Sequence, residues 1–285
     1  MRQKCAEREG LQHMKTIDVS IAINSYKNTE LLRLCIESIK RNVKGVSFEV
    51  IVVDGETQES TAMMMREDFP DVRFFSYAKN VGFRQLVQKG LEMSRGTHTL
   101  LLNSDIIVTE GSVEKMHTFL KGRPDVGMVG PKLLGFNELF QESCFRFYKP
   151  ITILYRRTFL GKFGFAKRHI DWFLMKEYDH IHPKEVDWLM GSAMMVSMEA
   201  VAKVGYMDTR FFMYMEDVDW CRRFWENDYK VIYYPDVQMY HYHGKGSAKG
   251  GFIYSLLFNR LMWYHIASAL KYFKKYRDKP LPIHQ

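Results

Sequence analysis

Short apolar runs alternate with amphipathic segments through the first half of the chain, and this alternation limits the possible folds most strongly. Strand-like runs begin at Asp18, Phe48, Val72 and Thr99. The periodicity predicts a helix from about Glu30 to Asn42, and further helices before the third and fourth strands. The second run is almost continuously apolar, which is typical of a strand buried on both faces. The pattern predicts a mostly parallel, Rossmann-like sheet flanked by helices.

Polar side chains follow two of these predicted strands. Asp54 ends the second run, and Asn103, Ser104 and Asp105 interrupt the fourth. Ligands of parallel sheets bind beyond the carboxyl ends of the strands, so these residues are candidates for a nucleotide and phosphate site. A carboxylate there is suited to a hard divalent cation. An ordinary turn with Asn or Asp hydrogen bonding is the alternative explanation of the polar triplet.

The rhythm changes after about Pro131, and the chain divides into four predicted parts. We expect residues 1–15 to form a charged, flexible leader and residues 16–131 to form the half with alternating strands and helices. We expect residues 132–250 to form a second half, whose aromatic and basic stretch 136–185 is an insertion over the sheet. Residues 251–285 contain an amphipathic C-terminal helix and a tail. The predicted helix carries a basic face, which either contacts a membrane or is the solvated face of a docked helix. This face consists of Arg260, Lys271, Lys274 and Lys275.

Three acids stand together at Glu216, Asp217 and Asp219. Acids near a helix start complement the macrodipole, and this explains one or two of them. A carboxylate aimed into a cleft as a general base is the alternative. Further on, His241 and His243 alternate with aromatic residues before a Gly-rich basic loop that contains Lys245. These are either metal and phosphate ligands or ordinary surface histidines.

Composition places further limits on function. The 285 residues carry a net charge of +8, which indicates an anionic partner of some kind. The cysteines, Cys5, Cys35, Cys144 and Cys221, are too scattered for a zinc site and favour a reducing compartment. No apolar run is long enough to span a membrane, and the N-terminus lacks the apolar segment of a secretory signal. We therefore expect a cytoplasmic protein, at most peripheral on the inner face of the cell membrane.

The motifs, taken in order, resemble those of the family 2 inverting glycosyltransferases of the rhamnosyltransferase-like kind. The segments "SIAINSY", "VIVVD", "KNVGF", "TLLLNSDIIV", "DWLMGSAMMV", "MDTRFFMYMEDVD" and "HYHGKGS" occur in the order and spacing of that family. The resemblance implies a GT-A fold, in which residues 16–131 are the nucleotide-sugar-binding half and residues 132–250 are the acceptor-binding and catalytic half. It also implies a nucleotide-sugar donor, a Mg²⁺ or Mn²⁺ cofactor and a glycan or lipid-linked glycan acceptor. It implies transfer in cell-surface polysaccharide synthesis, with dTDP-rhamnose as the first choice of donor and UDP-hexoses as the second.

The resemblance also implies roles for particular residues. Asp217 stands at the position of the catalytic base, and Asp105 and His241 at those of the metal ligands. The donor-binding positions are Asn24, Tyr26, Asp54, Asn80, Gly82, Asn103, Ser104, Asp105 and Lys245. The acceptor-side positions are Trp188, Gly191, Ser192 and Glu216.

Departures from the family pattern keep other functions open. Asn103 replaces the first acid of a DXD motif, so the chain offers one carboxylate fewer to a cation. A non-catalytic sugar-nucleotide-binding protein is one alternative. A nucleic-acid-binding protein fits the charge and aromatic content, but recognised nucleic-acid motifs are absent and the acid cluster is unexplained. The resemblance therefore predicts no nucleic acid among the partners.

Overall fold

The protein was studied as a computed structural model that describes residues 17–242 and 260–283, with side chains from residue 263 in the second range. The strands are β1 (Val19–Tyr26), β2 (Phe48–Gly55), β3 (Arg73–Tyr77), β4 (His98–Asn103), β5 (Ile106–Ile107), β6 (Val126–Leu134), β7 (Phe140–Gln141), β8 (Cys144–Phe145), β9 (Lys184–Glu185), β10 (Trp188–Leu189), β11 (Ala193–Ser197) and β12 (Lys230–His241). The helices are α1 (Thr29–Asn42), α2 (Glu59–Glu67), α3 (Phe83–Met93), α4 (Ser112–Lys121), α5 (Pro150–Arg157), α6 (Gly164–Phe173), α7 (Met198–Val204), α8 (Glu216–Glu226) and α9 (Arg260–Lys275). A 3-10 turn, Phe159–Lys162, joins α5 to α6.

Most of these strands form one mixed sheet. Its order is β3-β2-β1-β4-β11-β6-β12-β5, with β7 added beside β6 and β9 beside β12. The first four strands of this order are parallel, whereas β11 runs antiparallel to both β4 and β6. The predicted α/β class with a mostly parallel sheet is confirmed. Strands from both predicted halves of the chain contribute to this sheet, and β6 continues across position 131.

Two apolar cores lie on the two faces of the sheet. One face is covered by α1, α2 and α4, which bury residues such as Leu32, Met64 and Met116. The other is covered by α3, α7 and α8, which bury residues such as Val87, Val201 and Phe224. Because both faces are covered, the central strands have no polar side, which explains the continuous apolar run of β2.

Two local features differ from what the sequence suggests. The segment "KVIYYPD" ends in a proline and an acid before "VQMYH", which suggests two strands, but the two segments form the single strand β12 with a register irregularity between Tyr234 and Gln238. Asn28 and Thr29 are both suited to capping α1, but Asn28 makes no side-chain capping hydrogen bond there. The Thr29 hydroxyl shares hydrogen bonds with Ser60 and Thr61 of α2.

The C-terminal helix α9 is docked by charged groups. Lys275 Nζ lies 2.7 Å from Asp208 Oδ2 and 2.5 Å from Asp219 Oδ1, and Tyr276 donates a hydrogen bond of 2.9 Å to Asp219. Arg223 Nε is 2.9 Å from the other Asp219 oxygen. Lys271 donates to the Arg210 carbonyl at 2.9 Å. Two of the basic residues expected on an outward face therefore hold the helix to the body of the protein.

Some predictions fall on residues outside the described ranges. These are the leader at 1–15, Lys245, His243 and the beginning of the C-terminal part, residues 251–259. Within the residues that the structure does describe, no helix combines the length and apolar character needed to cross a membrane.

We expect Asp219→Asn to lower the free energy of unfolding by about 3–5 kcal/mol, because it leaves buried cationic groups without their shared carboxylate. Urea denaturation would measure the loss. The control is Glu199→Gln, which removes an exposed pair with Lys203 at 3.6 Å and should change stability by less than about 1 kcal/mol. Equal effects of the two substitutions would contradict the role assigned to Asp219.

Candidate active site

The carboxyl ends of β1, β2 and β4 meet at one edge of the sheet. Asn24 of β1 is level with Val53 and with Asn103, and Ser25 is level with Asp54. The parallel pairing places these polar residues side by side, as their positions after apolar runs predicted. The edge therefore brings together Asn24, Asp54 and Asn103 from three separate strands.

Several polar atoms at this edge are buried without a hydrogen-bond partner. They include both side-chain polar atoms of Asn24, both carboxylate oxygens of Asp54 and the Ser25 hydroxyl. Burial raises the pKa of the Asp54 carboxyl, although the nearby hydroxyls of Ser25 and Thr57 oppose the shift. Buried polar groups in proteins are normally paired, so a group of unpaired ones is typical of a ligand-binding surface.

The polar triplet Asn103–Asp105 forms the turn between β4 and β5. The Asn103 N–H donates to the Ser192 carbonyl at 2.9 Å, and the Ser104 N–H donates to the Asn24 carbonyl at 3.0 Å. The Asp105 carbonyl accepts from the Tyr242 N–H at 2.9 Å. The two readings of the triplet are therefore compatible: it is a turn, and its backbone bonds hold the Asp105 side chain beside the end of β12.

Asp105 and His241 face each other across this turn. His241 Nε2 lies 3.5 Å from Asp105 Oδ1, an atom that is buried and has no hydrogen bond. On the other side of the ring, His241 Nδ1 is 2.9 Å from Gln141 Oε1, while Gln141 Nε2 donates to the His241 carbonyl at 3.0 Å. The second bond fixes the amide so that its oxygen faces Nδ1, which then carries the proton. In the neutral ring, Nε2 directs its lone pair toward Asp105.

The acid cluster begins α8 after a strained turn. Tyr214 and Met215 both have positive φ angles, 68° and 67°, a left-handed conformation that costs a non-glycine residue roughly 1–2 kcal/mol. The turn places Glu216 and Asp217 in the first turn of the helix. Asp217 accepts hydrogen bonds from two backbone N–H groups, those of Gly191 at 3.2 Å and Val218 at 2.9 Å. These bonds fix the direction of the carboxylate.

The environment of the two acids favours their protonated forms more than water does. Burial is the main cause that raises the pKa of Asp217, and the two backbone N–H groups oppose it. Burial also raises the pKa of Glu216, and the charge of Asp217 raises it further. Glu216 Oε2 has no hydrogen-bond partner. Glu216 therefore retains its proton more readily, and Asp217 is the acid of the pair that ionises first.

A single cleft of about 410 Å³ joins the two groups of acids. Asp105, His241, Glu216 and Asp217 all line it. The other predicted site residues that line the cleft are Asn103, Trp188, Gly191 and Ser192. The other predicted donor residues within the described ranges do not line this cleft: Asn24, Tyr26, Asp54, Asn80, Gly82 and Ser104.

The predicted acceptor-side residues are held by the surrounding structure. Trp188 is buried, stacks on Phe145 with 4.3 Å between ring centroids, and donates its indole N–H to the Arg146 carbonyl at 2.8 Å. A Cβ added to Gly191 would lie 3.1 Å from the Phe83 ring, which is closer than usual, so the packing at this position favours glycine. The Ser192 hydroxyl is buried without a hydrogen-bond partner.

The loop before α3 has a packing role. Gly82 has a φ of 80°, and a Cβ there would lie 2.6 Å from the Phe212 carbonyl oxygen. Its N–H donates to Asn80 Oδ1 at 2.9 Å. The pair thus fits α3 closely against the segment that leads to Asp217.

Tyr26 is the last residue of β1. Its side chain is 44% exposed, and its hydroxyl donates a hydrogen bond of 3.1 Å to the Glu56 carboxylate.

Several residues in and around the cleft were not found from the sequence pattern, and three of them are polar or aromatic groups that bear on the site. Gln141 orients His241 from a position 100 residues earlier in the chain. Tyr148 and His265 line the cleft from α5's leading edge and from α9, with 6.5 Å between their ring centroids. None of them stands in a motif, so only the folded chain could reveal them.

Comparisons with known proteins show what the sequence and the fold of this chain are similar to. A family model described as glycosyltransferase like family 2 matches residues 17–251. The chain is 25% identical over 207 residues to an N-acetylglucosaminyl-diphospho-decaprenol L-rhamnosyltransferase of Mycobacterium tuberculosis, covering 68% of this chain and 66% of that one. It is 26% identical over 212 residues to a low-salt glycan biosynthesis hexosyltransferase of Haloferax volcanii, covering 72% and 61%. The chain thus spans somewhat less than two thirds of each relative.

The fold is also similar to a solved structure. The crystal structure of GalNAc-T7 with UDP, GalNAc and Mn²⁺ superposes with a TM-score of 0.57 at 11% identity, covering 81% of this chain and 45% of that one. This likeness confirms the predicted GT-A fold. The family model, which matches most of the chain, shows that the protein belongs to glycosyltransferase family 2.

Proposed function

We propose that this protein transfers a sugar, with inversion, from a nucleoside diphosphate donor to a hydroxyl of a glycan or lipid-linked glycan. The observation that carries the proposal is the single cleft that contains both the Asp105–His241 pair and the Asp217 carboxylate. A single displacement needs a base on the opposite side of the sugar from the leaving diphosphate. The cleft offers one group of each kind.

Asp217 is the proposed base. It removes the proton of the acceptor hydroxyl while that oxygen attacks the anomeric carbon, and the bond from this carbon to the diphosphate oxygen breaks. The N–H groups of Gly191 and Val218 each donate a hydrogen bond to one oxygen of the carboxylate, and these bonds hold it in a fixed orientation. No covalent bond to the protein forms, so the configuration at the anomeric carbon inverts.

Glu216 is proposed to act beside the base in its neutral form. Because Asp217 is the first of the pair to ionise, its negative charge keeps the proton on Glu216. A protonated carboxyl can donate a hydrogen bond to an acceptor hydroxyl, whereas a second carboxylate would repel the base. We therefore assign Glu216 to acceptor positioning.

The donor end of the cleft fits a divalent cation in part. Asp105 Oδ1 has no hydrogen bond, and the tautomer that Gln141 imposes on His241 directs a lone pair toward it. Carboxylate oxygen and imidazole nitrogen are ligands of Mn²⁺, and the carboxylate is a ligand of Mg²⁺. Within the described ranges no group of three or more such side chains gathers. A bound cation would thus need donor phosphate oxygens, and it would stabilise the charge of the leaving diphosphate.

The nucleoside is assigned to the sheet edge beside the cleft. The unpaired atoms of Asn24, Ser25 and Asp54 could accept and donate hydrogen bonds to a base and a ribose. Tyr26, Asn80, Gly82 and Lys245 are proposed with them from their motif positions. The named relatives transfer rhamnose or a hexose, which supports dTDP-rhamnose first and UDP-hexoses second.

The acceptor is proposed to be glycan-based and linked to lipid. The name of the mycobacterial relative describes an acceptor that carries a diphosphate and a polyprenol. Trp188, Gly191 and Ser192 are the proposed acceptor wall. A protein that works on such an acceptor at the inner face of the cell membrane would need only peripheral contact with the bilayer.

We expect Asp217→Asn to lower kcat by about 10²- to 10⁴-fold while the donor nucleotide binds as before, because only the proton acceptor is lost. The raised pKa of Asp217 predicts a rate that falls as the pH drops through that raised value, at a higher pH than for an exposed carboxyl. Steady-state rates and nucleotide calorimetry would measure the two effects. Glu199→Gln is the exposed control, and full activity of Asp217→Asn would refute the assignment.

We expect Gln141→Leu to weaken Mn²⁺ binding in the presence of UDP or dTDP by about 10- to 100-fold, because the His241 ring loses its orienting partner. Isothermal titration with Mn²⁺ measures this affinity without turnover. The control is Gln238→Leu, a substitution at an exposed position of β12, the strand that carries His241. An unchanged affinity in Gln141→Leu would exclude the orienting role.

A panel of nucleoside diphosphates and sugar nucleotides tests the donor. A ligand at 100 times its Kd stabilises the protein by about 2.7 kcal/mol, which should raise Tm by several degrees. We expect dTDP species, followed by UDP species, to give the largest increases, and Mn²⁺ to enhance them. If no nucleotide raises Tm, the donor site is wrongly placed; if only UDP species act, the rhamnosyl assignment is wrong.

A further inference from the structure

The positive charge of the protein is concentrated in one stretch. Residues 143–170 contain seven Lys and Arg and no Asp or Glu, whereas the whole chain has a net charge of +8. Lys162, Lys167 and Arg168 are exposed, and none of them forms an ion pair within the described part of the chain. Unpaired cations of this density indicate an anionic partner for this surface.

The same stretch exposes large apolar side chains. Phe159, Phe163 and Phe165 are 70%, 49% and 54% exposed. Their rings form one cluster, with 6.4 Å between the centroids of Phe159 and Phe163 and 6.0 Å between those of Phe163 and Phe165. Arg168 lies one helical turn after Phe165 on α6, so the two occupy neighbouring positions. We call Phe159, Lys162, Phe163, Phe165, Lys167 and Arg168 the aromatic–basic face.

The helix α5 connects this face with residues of the cleft. It packs against the 3-10 turn and α6, which carry the aromatic–basic face. Its Arg156 donates a hydrogen bond of 2.8 Å to the hydroxyl of Tyr148, which lines the cleft. His265 also lines the cleft, and burial together with the charges of Arg157 and Arg156 lowers the pKa of His265 to about 4.

We propose that the aromatic–basic face docks on the surface of an anionic lipid bilayer, with the phenylalanine rings in the interfacial layer and the cations against lipid phosphates. Docking would place the mouth of the cleft near the headgroups, where the sugar of a lipid-linked acceptor is found. The inference extends the proposed function by assigning a surface to membrane contact. Its test does not require sugar transfer, so the two can fail separately.

The composition of the surface favours lipid over nucleic acid. Ile151 and Leu154 of α5 are also exposed, at 39% and 43%. Aliphatic side chains gain little from stacking on bases but gain from entry into the acyl boundary of a bilayer. Exposed apolar clusters rimmed by Lys and Arg are typical of interfacial membrane contacts.

Sedimentation with vesicles of equal parts phosphatidylglycerol and phosphatidylcholine tests the proposal. We expect the wild-type protein to bind these vesicles, to bind pure phosphatidylcholine far more weakly, and to dissociate as salt screens the charges. The triple variant Lys162→Glu, Lys167→Glu and Arg168→Glu should bind the anionic vesicles roughly 100-fold more weakly. The double variant Phe159→Ser and Phe163→Ser should weaken binding while it keeps the salt dependence.

A matched control keeps the result specific to this face. Lys44→Glu with Lys115→Glu reverses two exposed lysines near α4, on a distant part of the surface, and should retain most of the binding. A far-UV circular dichroism spectrum and a Tm equal to those of the wild type would show that each variant is folded, whether or not a nucleotide binds. The proposal is overturned if the wild type does not bind anionic vesicles, if the triple variant binds like the wild type, or if a duplex oligonucleotide binds this face in preference to vesicles.

Discussion

The parallel pairing of β1 with β2 and β4 is the constraint on which the candidate site depends. It places Asn24, Asp54 and Asn103 at one edge of the sheet, and two backbone hydrogen bonds then fix the turn that presents Asp105. Because these strands are covered on both faces, their register is held by continuous apolar packing. The polar edge can therefore leave atoms unpaired without loss of the fold, and a ligand can supply their partners.

Two neighbouring carboxylates of α8, those of Asp217 and Asp219, have very different partners. Asp219 is saturated by Arg223, Lys275 and Tyr276, and its charge ties the C-terminal helix to the sheet. Asp217, two residues earlier, receives only backbone N–H groups and faces the cleft. Burial raises the pKa of Asp217, and no cation is among the groups that oppose this shift. The sequence shows a single acid cluster, and the fold places its members in different electrostatic environments.

The structure also connects the cleft to the outer surface. Tyr148 and His265 line the cleft, and both interact with basic side chains of α5. The helix α5 is followed in the chain by the segment that carries the aromatic–basic face. The charge that the composition reveals for the whole chain is concentrated there, while the predicted basic face of α9 is partly used to dock that helix.

The sequence by itself determined the order of strands and helices, the mostly parallel sheet and the family, because apolar periodicity and motif order are local properties of the chain. It also indicated Asp54, Asp105 and Asp217, each of which follows an apolar run. Only the tertiary structure decided that Gln141 orients His241 and that Lys275 pairs with Asp219, since the residues of each pair lie far apart in the chain. Such contacts arise when helices and strands pack on a common sheet, and local periodicity specifies which face of an element is buried but not which residue it meets.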